Sequence, residues 1–167
     1  MEGSIEELGK KVAEEVIQHV DRALIRYEAI NFVGFSLGGL IVRACLSELG
    51  SLSKKLGIFV TFSSPHLGIS DSENSFVKLG VWYLIKVDKV KNLKELNFQS
   101  VKLEESVLMK LSKSSHISSF KRVVLVSSKD DGFVPLYSTF LARELCQNEA
   151  EELCDNLLQR IKRLERV

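Results

Sequence analysis

A serine set between two glycines, Gly34-Phe35-Ser36-Leu37-Gly38, is the residue pattern in this chain best suited to covalent chemistry. It joins a strand-like run, "AINFVG", to a helix-like run, "LGGLIVRACLSELG". That context is what a serine nucleophile on a sharp strand-to-helix turn requires. The turn strains the serine so that its hydroxyl stands beyond the carboxyl edge of the sheet. Gly34 and Gly38 are expected to be small because larger side chains would collide across the turn. The backbone N–H of Leu37, at the helix start, would then face a developing oxyanion. A strand-to-helix turn without chemistry fits the same pattern. Phosphate binding does not: G-x-x-x-G-G is no dinucleotide fingerprint, and no lysine follows the glycines as in a P-loop.

An activated serine needs a base, and the base needs an acid to orient it, in the chain order Ser, Asp or Glu, His. Asp130 and Asp131 both follow a strand-like run in "VSSKDDGFVP", where a triad acid would stand. Aspartate is also a common turn residue. All three histidines, His19, His66 and His116, precede these acids. His19 falls on a helix pattern as a surface or boundary residue, and His116 in a loop. His66, in "SSPHLG", directly follows a strand and is a candidate for lining the site, as is Phe35 beside the serine.

The elements that must position these residues read as a parallel α/β sheet. "SIEELGKKVAEEVIQHV" is an amphipathic helix with Ser4 and Glu7 as a capping box. "AINFVG", "LGIFVTF" and "RVVLVSS" are continuous apolar strands, as expected of a parallel sheet covered on both faces. The helix after Ser36 is apolar almost all round and therefore buried. Residues 63–121 are too long for a bare crossover and read as an excursion or cap with two helices, "FVKLGVWYLIKV" and "EESVLMKLSK"; Trp82 makes it a candidate lid or acyl pocket. Residues 138–167 read as one long helix striped by Leu141, Leu145, Leu153, Leu157, Ile161 and Leu164.

Bulk properties exclude several classes. A net charge of +1 gives no electrostatic case for nucleic acid or an anionic membrane. No apolar run reaches the length of a transmembrane span, and the acidic start is wrong for a signal peptide. Cys45, Cys146 and Cys154 fit neither a metal site nor a disulfide framework, which suits a reducing, cytoplasmic setting.

"INFVGFSLGGLIVRACL", "TFSSPHLGISDS", "GVWYLIK" and "FKRVVLVSSKDDGFVPLYS", taken in order, resemble the putative serine esterase family, a lipase-like branch of the α/β-hydrolases. The resemblance runs over about residues 5–145 and implies an α/β-hydrolase core acting on small-molecule or lipid esters without a cofactor. It puts the nucleophile on Ser36 and the acid on Asp131 rather than Asp130. It also implies that the 167 residues form a partial domain, lacking the family's first strands with their oxyanion loop, and its catalytic histidine. The Ser36 strand would then be a bare edge, open to a protein partner or to self-association. The alternative function is a non-catalytic module that keeps the hydrolase fold.

Overall fold

The computed structural model describes residues 3–23, 27–69, 96, 103–147 and 149–167. Helix α1 (Ile5–Arg22) begins at the expected capping box: the Ser4 hydroxyl accepts the Glu7 N–H, and the Glu7 carboxylate accepts the Ser4 N–H. Ile5, Leu8 and Ala13 are buried on its inner face. Strand β1 (Ile30–Phe35) leads through Ser36 into α2 (Gly38–Cys45), and β2 (Leu56–Phe62) follows. Helix α3 (Val107–Lys113) is capped by Ser106, whose hydroxyl accepts the Met109 N–H. Strand β3 (Arg122–Val126), α4 (Leu136–Phe140), α5 (Glu149–Leu158) and β4 (Leu164–Arg166) complete the order.

The four strands of the described residues form one parallel sheet in the order β1-β2-β3-β4, so the α/β reading holds, and among these strands β1 is an edge. Gly34 pairs with Thr61 and Phe35 with Phe62, while Thr61 and Phe62 pair with Leu125 and Val126. These pairings bring the carboxyl ends of β1, β2 and β3 level. Near the start of β1 the register slips between Ile30 and Phe32, and Asn31 Oδ1 takes the Ile58 N–H at 2.7 Å.

Two expectations fail. Among the described residues, the sheet is not covered on both faces. Phe32, Phe59, Val123 and Leu125 are buried on the helix side, but Val33 and Phe35 are 64% and 70% exposed on the other, beside exposed Ile58. Strands apolar on both sides look alike in sequence whether or not both faces are covered. Nor is 138–167 one helix. Leu141 takes a left-handed conformation (φ 51°) that ends α4, a short helical turn intervenes, and the chain closes on β4. Leu164, the last residue of the supposed stripe, pairs with Val123 in the sheet. The helix expected at 76–87, with Trp82, lies outside the described residues.

Candidate active site

The chain turns at Ser36 with φ 48°, a left-handed conformation that a serine adopts only at a cost of about 1–2 kcal/mol. The Ser36 N–H donates to Phe62 O at 2.9 Å, and its carbonyl accepts the Gly39 N–H at 3.2 Å. Those two bonds pin the turn between sheet and helix. The close approach falls on Gly34 and Gly39, not on Gly38. A Cβ at Gly34 would lie 2.7 Å from Gly39 Cα and N. One at Gly39 would lie 2.6 Å from Ser64 Cβ, whereas one at Gly38 would meet nothing within 4 Å. Gly39 was visible only as the second half of a glycine pair, with no sign of what it packs on.

Among the described residues, the Leu37 N–H has no hydrogen-bond acceptor, although the Leu37 side chain is buried. Ser36 is half-buried and its hydroxyl is likewise unpartnered among the described residues. Phe35 lies on the open sheet face, stacked on Phe62 with ring centroids 4.8 Å apart and planes at 10°.

Asp131 stands beyond the carboxyl end of β3, on the same edge of the sheet as Ser36. Its Oδ1 accepts the N–H groups of Phe133 (2.9 Å) and Val134 (3.2 Å). This fixes the carboxylate and leaves Oδ2 without a donor among the described residues. Asp130 is exposed, and its N–H is taken by Ser128 Oγ at 3.1 Å.

His66 follows β2 as expected but turns inward. It is 3% exposed, with Nε2 3.1 Å from Thr61 Oγ1 and its ring edge-on to Phe59. Its carbonyl accepts Arg43 Nη1 at 2.9 Å. His19 and His116 are exposed, on α1 and in the turn after α3. No histidine hydrogen-bonds Ser36 or Asp131. The Cys45 and Cys154 thiols are pushed up to about 12 by burial, and Cys146 is raised as well, so none competes as a nucleophile near neutral pH.

Sequence reasoning missed two buried polar residues beside this edge. Ser138 Oγ donates to Gly68 O at 2.7 Å and accepts the Leu67 N–H at 3.0 Å, bridging α4 to the loop after β2. Arg43 is buried and holds His66 O with Nη1, while its Nε and Nη2 have no partner among the described residues. Desolvation pulls its guanidinium down to about 9, so it stays charged at neutral pH.

Burial, and then the Arg43 charge, hold the His66 imidazole well below its ordinary 6.5. The folded protein therefore keeps His66 neutral, while the unfolded chain binds a proton as pH falls through about 6.5. Stability from this group is complete above that pH and declines below it, by at most about 1.4 kcal/mol per pH unit. Urea unfolding of wild type and His66→Gln between pH 7.5 and 5 is expected to show the steeper decline in wild type; parallel curves would contradict it.

The family profile of putative serine esterases matches residues 1–148. The chain belongs to the putative serine esterase family. It is 30% identical over 152 residues to a Saccharomyces cerevisiae protein named "Putative lipase ROG1", covering 84% of this chain and 21% of that protein. The chain thus spans about a fifth of that relative's length. No solved structure matches it. The serine esterase family profile extends over the strand-to-helix turn, the loop after β2 and the Asp131 turn, so all three features lie inside the matched region. No helix among the described residues is long and apolar enough to cross a membrane.

Proposed function

We propose that this chain carries the nucleophile and acid of a serine esterase that cleaves carboxylic esters, lipid esters included, through an acyl-Ser36 intermediate. One observation carries the reading: the left-handed turn at Ser36, pinned between the β2 carbonyl and α2, with a free Leu37 N–H beside it. Ser36 Oγ attacks the ester carbonyl and its proton passes to an imidazole. Leu37 N–H stabilises the tetrahedral oxyanion, and the alkoxide leaves with the proton that the imidazole returns. Water then repeats the sequence on the acyl-serine. Asp131 Oδ2 is the acceptor that would orient the imidazole.

None of the three histidines occupies that place, so added imidazole is the natural probe. It is expected to give turnover of p-nitrophenyl butyrate beyond imidazole's own solution rate, abolished by Ser36→Ala and lowered by Asp131→Asn. The asparagine keeps an Oδ1 for the Phe133 and Val134 N–H groups while removing the charge. Imidazole-dependent rates identical in wild type and Ser36→Ala would contradict the reading.

The exposed apolar face and the β1 edge, neither covered by any described residue, favour a second copy of the chain as a partner. Val33, Phe35 and Ile58 are uncharged neighbours there, and a net charge of +1 gives two copies little mutual repulsion. Sedimentation velocity is expected to show concentration-dependent association that Val33→Lys suppresses; a wild type that stays monomeric at every concentration would contradict it.

A further inference from the structure

We propose that Ser138 is a positioning residue that sets the Asp131 turn relative to Ser36, by clamping the loop after β2 to the segment after β3. The inference rests on the esterase reading only where catalysis is the readout. Ser138 is fully buried and sits three residues beyond Pro135, which opens α4 directly after the Asp131 turn. The Ser138 N–H and Thr139 N–H both donate to Pro135 O, so helix and turn move as one piece. At the other end of that piece, Asp131 Oδ1 takes the Val134 N–H.

The hydroxyl of Ser138 is used twice, as donor to Gly68 O and as acceptor from Leu67 N–H. These atoms belong to the loop that starts at Ser63, whose own N–H donates to Val126 O at the end of β3. One residue earlier, Phe62 O accepts the Ser36 N–H. A continuous path therefore runs from the Ser36 turn through Phe62 and the 63–68 loop to Ser138, and on through Pro135 to Asp131. Ser138 is the side chain that carries this path across from the β3 segment to the β2 loop. Backbone also joins the two, through the Ser63–Val126 bond on the sheet itself. Strain in the same loop, where Ser63 takes φ 46°, means the loop needs such an anchor to stay in place.

Two arms test this. In native-state hydrogen exchange of the unmodified protein, the amides of Leu67, Phe133 and Val134 are expected to open with one shared free energy. In Ser138→Ala all three should exchange faster together, and Ser138→Thr, which keeps the hydroxyl, should restore them. In the catalytic arm, Ser138→Ala is expected to raise the imidazole concentration for half-maximal rescue about tenfold, the size of one buried hydrogen bond, with the ester KM unchanged. A residue serving only the fold would lower the amount of active protein without moving that concentration.

If Leu67 opens separately from Phe133 and Val134, or if its exchange quickens alone in the variant, Ser138 holds only its own loop and the proposal fails. Absence of any Ser36-dependent rescue in wild type would overturn the esterase reading instead. Exchange would then decide the clamp by itself, and should Ser138→Ala not fold, the wild-type opening energies decide it.

Discussion

Without added imidazole, the 167-residue protein is expected to hydrolyse p-nitrophenyl butyrate no faster than its Ser36→Ala variant. In a serine triad the histidine takes the hydroxyl proton and later delivers it to the leaving group. Losing it costs on the order of 10⁶-fold in turnover, and what survives comes from oxyanion stabilisation and binding. Here the Leu37 N–H, free of any acceptor among the described residues, is the oxyanion donor that the reading relies on. The single histidine that follows a sheet strand, His66, is sealed inside, bonded to Thr61 and held neutral beside Arg43. The comparison is initial rates for wild type, Ser36→Ala and His66→Ala. Wild-type turnover well above background that vanishes in both variants would make His66 the base and overturn this expectation.

Gly34→Ala is expected to destabilise the protein by about 3 kcal/mol, whereas Gly38→Ala should be neutral or slightly stabilising. The two glycines flank Ser36 symmetrically in sequence, yet only one is crowded. A Cβ on Gly34 would press on Gly39 Cα and N at 2.7 Å, and backbone cannot swing aside as a flexible side chain can. Either β1 or α2 must shift, and overpacking of this kind costs about 1–3 kcal/mol, toward the top of that range where backbone must move. Any shift also drags on Gly39, which already packs against Ser64. At Gly38 a methyl meets open space, and alanine suits the first turn of α2 better than glycine. Urea unfolding of the two variants gives the difference directly. Equal losses would mean that the Ser36 turn is not packed as described.

The strand-to-helix turn was legible because its signals are local. A glycine-flanked serine between an apolar run and a helical run admits few geometries, and the left-handed φ at Ser36 follows. The Asp131 turn was legible for the same reason, since Asp, Gly and Pro at short spacing announce a turn whose carboxylate bonds its own backbone. Neighbours far apart in sequence were not legible. Nothing in "SSPHLG" says that His66 turns toward Thr61 or that Arg43, 23 residues earlier, takes its carbonyl. Ser138 reads as an ordinary helix serine until the loop it grips, 70 residues away, is placed beside it. The leucine stripe failed where a single left-handed residue, Leu141, broke a period that the side chains alone preserved. β4 was hidden because its three residues, Leu164–Arg166, carry no alternation of their own and are strand only through β3.

The claim on which the functional account stands is that Ser36 is the nucleophile, and peptide mapping after reaction with a fluorophosphonate tests it most directly. The probe forms a stable phosphonyl-serine by displacing fluoride, so no slow deacylation step intervenes. The account predicts an adduct on Ser36 whose formation quickens with added imidazole and slows in Asp131→Asn. Adducts confined to other residues, or a Ser36 adduct indifferent to both imidazole and Asp131, would contradict it.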